Sequence, residues 1–243
     1  MIGLDFDGTL SPIVPDPASA RIHPQAPEVL ARLGEQVGAV AIVTGRPAAT
    51  ALQLGAGLAE VPGLVILGHY GFERWEHGSI SAPPPPPGVP RAEADLPILL
   101  GSLGLDGVTV EDKGRAVAVH TRRAADPQGA FEALRGPLAK LADKHGLVVE
   151  PGRYVLELRP PGMDKGHALS LFLAERAARS VMFVGDDLGD LAAFAAVEAS
   201  GLPGVKVCSG SAEVTELAER ADLVVDGPEG VVGLLGELAD AFN

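Results

Sequence analysis

The sequence predicts an α/β fold: a doubly wound, mostly parallel sheet with a smaller α+β domain inserted into it. Three observations carry this. Short, continuous apolar runs alternate with helical patterns at both ends of the chain, as in IGLDF, AVAIVTG and LVILG early and SVMFVGDD and GVKVCSG late. Runs of this kind mark strands buried on both faces of a parallel sheet. Between them lies a block whose strands alternate apolar and polar residues, the pattern of a sheet with one packed and one open face. Five consecutive prolines at 83–87 mark where the first pattern stops, because such a run continues neither a helix nor a central strand. The expected division is residues 1–80 with 164–243 as one domain, and 81–163 as the insert.

The elements follow in order. IGLDF is the first strand, and Pro27–Val37 reads as a helix. Ala39–Gly45 is a strand closing in a turn, and Pro47 suits the first turn of a helix through ALQLGAGLA. LVILGHYG is a strand with a glycine turn. The proline run is open to two readings, a stiff polyproline II spacer acting as a hinge or a plain surface loop. In the insert, a helix lies near Glu93–Leu103 and two strands, VTVEDK and RAVAVHTRR, flank Lys113-Gly114. AFEALRGPLAKLADKHG is expected as a helix interrupted at Gly136-Pro137, and LVVEPGRYVLELRP as a hairpin turning at Pro151-Gly152. The first pattern then resumes. It runs through the helix KGHALSLFLAERA, the strand and turn SVMFVGDDLGDL, the helix DLAAFAAVEA and the strand GVKVCSG. A helix around AEVTELAERA, the strand DLVVD and the helix VVGLLGELADAF follow.

Composition narrows the function classes. The 243 residues are 47% hydrophobic but only 4% aromatic, so the core is built from Val, Leu, Ile and Ala. A formal net charge of −13 lacks the basic footprint of a nucleic-acid surface and disfavours anionic lipid. It leaves room for a small phosphorylated ligand, since a metal and a few cations reverse the field inside a cleft. Cys208 is the only cysteine, which excludes an internal disulfide and makes a cysteine-based zinc site implausible. No basic, apolar leader pattern and no apolar stretch of membrane-spanning length stands out. The expectation is a soluble cytoplasmic protein with no nucleic-acid, membrane or obligate protein partner.

Chemistry concentrates in four places. In DFDGT, Asp5 and Asp7 lie two apart at a strand end, where alternation turns both side chains the same way. Like charges held close raise each other's pKa or demand a cation; a turn aspartate satisfied by its own loop is the bland reading for either alone. Gly8 and Thr9 add a tight turn, a hydroxyl and free N–H groups. In GDDLGD, Asp186, Asp187 and Asp190 follow an apolar strand. One acid suits a helix N-terminus, but three in five residues call for a positive partner. Hard oxygen ligands without His or Cys favour Mg²⁺ over zinc. In VTGR, Thr44 and Gly45 end a strand just before a helix, where a hydroxyl and N–H groups grip phosphate. Arg46 is either a phosphate contact or a solvated helix-start residue. Lys165 opens a helix, where a cation opposes the dipole and so suggests another duty, neutralising phosphate or a nucleophile. Three of the four places end sheet strands, and strand carboxyl ends converge on a ligand crevice in open α/β sheets.

This arrangement resembles the haloacid dehalogenase superfamily of phosphatases: DFDGTL is similar to its first motif, VTGR to its second, Lys165 to its third and VGDDLGD to its fourth. The resemblance implies that Asp5 is the nucleophile and forms an aspartyl-phosphate. It makes Asp7 the general acid and base. It assigns Mg²⁺ to Asp5, the backbone carbonyl of Asp7 and Asp186, with Asp187 and Asp190 in support. Thr44 and Lys165 would hold the transferring phosphoryl oxygens, with Gly45 and Arg46 beside them.

The insert sits where a C2-type cap does. Its VEDKGRAVAVHTR and VLELRP, together with DKGHAL and the SPI at 11–13, resemble the trehalose-6-phosphate phosphatase family. On residues alone, the carboxylates and cations of that sheet are either an ordinary cross-strand ion-pair face or a surface for a hydroxyl-rich ligand. The resemblance implies the latter: Glu111, Lys113, Arg122 and Glu157, with His120 and Arg159, would grip the sugar distal to the phosphate. His69, Gly71 and Glu73 also fit the family. The chain departs from it at Thr44 for Ser, at Tyr70 for His, and at Gly189 and Leu191 for the Thr and Glu of the fourth motif. The implied function is hydrolysis of trehalose 6-phosphate. The alternatives are the same chemistry on another sugar or glycosyl phosphate, and an inactive sugar-phosphate-binding regulator.

Overall fold

The fold was taken from a computed structural model, which describes residues 1–84, 86–152, 154–162, 164–210 and 215–242. In chain order the strands are β1 (Ile2–Leu4), β2 (Val40–Val43), β3 (Leu64–Gly68), β4 (Glu73–Glu76), β5 (Ser79–Ser81), β6 (Thr109–Asp112), β7 (Val117–His120), β8 (Val148–Gly152), β9 (Val155–Arg159), β10 (Val181–Gly185), β11 (Gly204–Gly210) and β12 (Leu223–Asp226). The helices are α1 (Ala26–Gln36), α2 (Ala48–Leu54), α3 (Gly88–Leu103), α4 (Pro127–Lys144), α5 (Lys165–Glu175), α6 (Leu191–Ala199), α7 (Thr215–Arg220) and α8 (Gly227–Ala241). They divide into two compact units, residues 1–82 with 163–243, and residues 83–162.

The larger unit holds an eight-stranded sheet in the order β12-β11-β10-β1-β2-β3-β4-β5. From β12 to β3 every pairing is parallel. The strands are apolar throughout because both sheet faces are covered. Leu4, Val40, Ile42 and Ile66 pack with Leu30 and Leu33 of α1, Leu54 of α2 and Leu235 of α8. The alternate residues Ala41, Val43, Val65 and Phe183 pack with Leu169 and Phe172 of α5, Phe194 of α6 and Leu217 of α7. Burying such a side chain stabilises the fold by about 1.5–3 kcal/mol, so a polar residue at either set would be costly. The chain winds outward from β1 in one direction through β2 and β3, and from β10 in the other through β11 and β12. The switch between them falls at β1 and β10, where a doubly wound sheet opens its crevice.

The smaller unit is a four-stranded antiparallel sheet, β6-β7-β9-β8. Val117, Val119, Leu156 and Leu158 turn one face onto Leu96 of α3 and Leu134, Leu138 and Leu141 of α4. The alternate positions carry Glu111, His120, Glu157 and Arg159 on the other face.

Several expectations need correction. The sheet continues past β3 into an antiparallel hairpin, β4–β5, that the parallel pattern did not suggest. His77 and Gly78, at φ +50° and +77°, make its tight turn, a conformation more often signalled by Asn-Gly. The second helix stops at Leu54 rather than running through Ala59, and a separate 3₁₀ turn follows at Leu58–Glu60. Helix α3 begins at Gly88, straight after the proline run. Helix α4 is not interrupted at Gly136-Pro137; burial of Leu134, Leu138 and Leu141 along one stripe outweighs the single backbone donor lost at Pro137. The β8–β9 turn falls after Gly152, which still pairs with Val155, and Pro151 is tolerated because β8 is an edge strand. The expected helix around 212–221 is observed as Thr215–Arg220, its start lying outside the described residues. Among the described residues no helix is long and apolar enough to cross a membrane.

Candidate active site

The site is built at the switch point. β1 ends at Leu4, and Asp5 stays in register because its N–H donates to the Val184 carbonyl of β10 at 2.9 Å. The chain then turns tightly, with the Leu10 and Ser11 N–H groups both donating to Phe6 O at 2.9 Å. Gly8 is required in this turn. Its φ is +76°, and a Cβ there would lie 1.9 Å from Asp186 Oδ2. Asp186 follows β10, and Asp190 sits one short turn later, fully buried.

Asp5, Asp186 and Asp190 each offer a carboxylate oxygen within 4.8 Å of the others, and all three are buried. Lys165, at the first position of α5, reaches between them: its Nζ is 2.9 Å from Asp5 Oδ1 and 2.8 Å from Asp190 Oδ1. Asp164 caps the same helix through the His167 N–H at 2.7 Å. The unfavourable cation at a helix start is thus stabilised by carboxylates rather than by the helix. Asp190 Oδ2 accepts from the N–H groups of Asp186 and Asp187 at 3.0 and 3.2 Å, so both its oxygens are engaged. Asp187 accepts from the Gly189 N–H at 2.8 Å, completing a capping box with Asp190. The turn therefore closes without the hydroxyl and second acid that Gly189 and Leu191 replace.

The electrostatics follow from burial. Burial pushes the Asp5 carboxyl well above the usual carboxylate range; Lys165 opposes this, while Asp190, Asp186 and Asp187 add to it. Asp186 is pushed up to about 7, first by burial and then by Asp190 and Asp187. Burial also raises Asp190, against the pull of Lys165. For Lys165, burial works against the ammonium, yet the charges of Asp190, Asp5 and Asp187 hold its pKa well above the usual lysine value. Three carboxylates thus face one ammonium. That imbalance, and an all-oxygen donor set, is compatible with a divalent cation of the Mg²⁺ type.

The second strand supplies the neighbouring loop. Thr44 is buried; its N–H donates to Leu67 O at 3.0 Å, and its hydroxyl accepts from the Arg46 N–H at 3.1 Å. The turn after β3 braces this loop. His69 N–H donates to Arg46 O at 3.0 Å and Tyr70 N–H to Thr44 O at 2.9 Å. His69, Tyr70 and Gly71 all have positive φ, +47°, +56° and +92°. Tyr70 takes the room a side chain at position 45 would need: a Cβ on Gly45 would meet its hydroxyl oxygen at 2.6 Å. Glu73 accepts from the Ala48 N–H at 2.9 Å, at the start of α2.

Arg46 is neither solvated nor aimed at open space. It grips the Asp7 carboxylate with two bonds of 2.6 Å. Asp7's carboxylate therefore stands apart from the three-acid cluster. Sequence reading missed Ser209, which is buried at the carboxyl end of β11 and donates to Gly8 O at 2.7 Å. Its signal was available, since GVKVCSG ends an apolar strand as VTG and VGD do.

The other predicted residues belong to the smaller unit. Lys113 donates to Glu157 at 2.5 Å, His120 and Glu111 approach to 2.8 Å, and Arg159 donates to Glu150 at 2.8 Å. Arg122 is exposed and lies beyond β7. On the sheet of this unit, three ion pairs thus join neighbouring segments: Lys113–Glu157, His120–Glu111 and Arg159–Glu150.

The mostly parallel sheet that gathers its acids at one switch point, with an α+β unit inserted in the chain, has the architecture of the haloacid dehalogenase superfamily, to which the family match assigns this chain. Within it, the family model described as Trehalose-phosphatase matches residues 3–228, and the chain belongs to that family. A trehalose-phosphate phosphatase of Mycobacterium marinum is 37% identical over 98% of this chain and 61% of its own length. One of Mycobacterium tuberculosis (strain ATCC 25618 / H37Rv) is 36% identical over 82% of this chain and 51% of its own. An uncharacterized glycosyl hydrolase of the same strain is 37% identical over 82% of this chain but only 15% of its own length. The chain thus spans between 15% and 61% of these relatives. Among solved structures, Aspergillus fumigatus trehalose-6-phosphate phosphatase superposes with a TM-score of 0.69 at 26% identity, covering 99% of this chain and 92% of that one. The C-terminal domain of C. albicans trehalose-6-phosphate phosphatase shares the fold, with a TM-score of 0.77 at 22% identity over 98% of this chain and 91% of that one.

Proposed function

We propose that this protein is a Mg²⁺-dependent phosphatase that hydrolyses trehalose 6-phosphate to trehalose and phosphate. One observation carries the chemistry: the buried Asp5, Asp186 and Asp190 cluster bridged by Lys165. The family and the names of its relatives supply the sugar.

In this reading the Asp5 carboxylate attacks phosphorus, the bond from phosphorus to the sugar oxygen breaks, and Asp7 gives that oxygen its proton. Water then attacks the aspartyl-phosphate, Asp7 takes a proton from it, and Asp5 is regenerated as phosphate leaves. Lys165 orients Asp5 through Oδ1 and, with Thr44 and the backbone of Gly45, meets the charge on the phosphoryl oxygens. Asp5, the Asp7 carbonyl and Asp186 would hold Mg²⁺, with Asp187 and Asp190 fixing their turn. When bound, the ion supplies positive charge to the phosphoryl group and keeps Asp5 and Asp186 ionised. Glu111, Lys113, His120, Glu157, Arg159 and the exposed Arg122 form the surface that reads sugar hydroxyls, trading cross-strand partners for ligand.

A panel of sugar phosphates assayed with Mg²⁺ tests the reading. Trehalose 6-phosphate is expected to give the highest kcat/KM, and chelator or Asp5→Asn to abolish phosphate release. Equal rates across the panel would remove the sugar assignment. Full activity in the Asp5→Asn variant would remove the nucleophile.

A further inference from the structure

We propose that Arg46 acts on the reaction through Asp7, as a positioning residue, and not by contact with the substrate. The inference rests on the phosphatase reading above and adds a role that the second-motif resemblance did not supply. Arg46 Nε donates to Asp7 Oδ2 and Nη2 to Asp7 Oδ1, both at 2.6 Å. A two-point fork of this kind fixes the carboxylate's plane as well as its place. Nη2 also donates to Pro17 O at 3.0 Å, and the guanidinium lies over the Phe6 ring, 5.8 Å from its centroid. The backbone of Arg46 is held at both ends, its N–H by Thr44 Oγ1 and its carbonyl by the His69 N–H. The side chain is 15% exposed, against 39% for Asp7. The better-fixed partner therefore sets where the more mobile acid points.

Two consequences follow from geometry. Nε and Nη2 are committed to Asp7 and Pro17, so a direct phosphate contact through them would cost these bonds. An Asp7 released from the fork has a half-exposed side chain with rotamers to choose among, and proton transfer needs one orientation. Losing Arg46 should therefore hurt the reaction only where Asp7 is needed.

Leaving groups separate these cases. A sugar alkoxide needs a proton as its bond to phosphorus breaks. Nitrophenolate leaves without one, so transfer of the phosphoryl group from p-nitrophenyl phosphate to Asp5 proceeds without Asp7. Water attack on the phosphoenzyme still needs Asp7 as base. The experiment compares wild type, Arg46→Gln, Asp7→Asn and the double variant on trehalose 6-phosphate and p-nitrophenyl phosphate, by steady-state and rapid-mixing kinetics. Arg46→Gln should lower kcat for the sugar phosphate by about a hundredfold with little change in KM. With the aryl phosphate it should release about one equivalent of nitrophenolate rapidly and then turn over slowly, the rapid phase reporting Asp5 attack without an acid. The double variant should be no slower than Asp7→Asn alone, because the two residues act as one unit. Should Arg46→Gln fail to fold, as read by its thermal unfolding, Arg46→Lys provides the same comparison with the charge kept and the fork lost. Loss of the rapid nitrophenolate phase in Arg46→Gln, a large rise in KM on both substrates, or further loss in the Asp7→Asn background would overturn the inference while leaving the phosphatase intact. A wild type that cleaves neither substrate would remove both.

Discussion

Lys165→Met offers the sharpest test of how this site is held together. The ammonium is 6% exposed, Asp5 6% and Asp190 0%, with contacts of 2.9 and 2.8 Å. Water screens none of these groups effectively, so a surface ion pair is the wrong comparison. Removing one member of a buried pair leaves its partners charged and unsolvated, at a cost of about 3–5 kcal/mol. Met conserves most of the stem's volume, so little of this loss comes from a cavity. In a domain of this size a loss of that order lowers the thermal midpoint by roughly 10 °C.

The pH dependence gives the cause away. Asp5, Asp186 and Asp190 all have raised carboxyl pKa values, so their protonated forms suit the fold. Their favourable contribution is present below the ordinary carboxylate range and is lost as pH rises through the folded values, about 7 for Asp186. Without Lys165 these carboxyls rise further. In chelator, the variant's deficit should therefore be largest near pH 8 and shrink toward pH 5. Mg²⁺ should recover part of it at pH 8 by restoring positive charge. Calorimetric unfolding of both proteins across that range, with and without Mg²⁺, measures all of this. A midpoint equal to wild type in chelator at pH 8 would refute the view that Lys165 is an electrostatic keystone. A deficit independent of pH would assign its role to packing.

Two other outcomes are expected. Mg²⁺ affinity should fall as pH drops below about 7, because the ion must then displace a proton from Asp186; titration calorimetry in two buffers of different ionisation heat should show proton release, and a flat profile from pH 5 to 8 would exclude Asp186 as a ligand. Gly8→Ala should weaken Mg²⁺ binding by at least about tenfold, since an L-residue at positive φ is strained by roughly 1–2 kcal/mol and its Cβ would meet Asp186 Oδ2 at 1.9 Å; unchanged binding would show that the loop relaxes freely.

How much of this was legible in the sequence depends on whether a residue's partner is local. The central strands were legible because Val40–Val43 and Leu64–Leu67 are buried on both faces, and a short unbroken apolar run between turns suits a doubly covered strand. The meeting of Asp5 with the late acids Asp186 and Asp190 was legible because strand ends in a wound sheet converge; the turning of the Asp7 carboxylate away to Arg46 was not. Arg46 was not, because its partner Asp7 is thirty-nine positions away and TGR is compatible with either of two environments. The β4–β5 hairpin was not, because its turn is His-Gly and Trp75 is the only buried residue of its first strand. The unbroken α4 was misread because local propensity at Gly136-Pro137 was weighed without the leucine stripe that overrides it.

The insert shows the limit most clearly. Its charged face was open to two readings, an ion-pair ladder and a sugar-binding surface, and the structure contains the ladder. The two are not exclusive. Glu157 is 6% exposed and bound to Lys113 at 2.5 Å, so a sugar hydroxyl can take that carboxylate only by offering a bond at least as good. His120–Glu111 and Arg159–Glu150 keep more exposed partners, and pairs of that kind contribute at most about 1 kcal/mol each, so they yield easily. Under the proposed sugar reading, recognition on this face would be an exchange: ready-made ion pairs keep charges satisfied, and a ligand with many hydroxyls would replace them several at a time. A monosaccharide phosphate, with fewer hydroxyls to offer, would replace fewer pairs. On the proposed reading, selectivity for a larger sugar would follow from the number of pairs exchanged, without any residue that touches phosphorus.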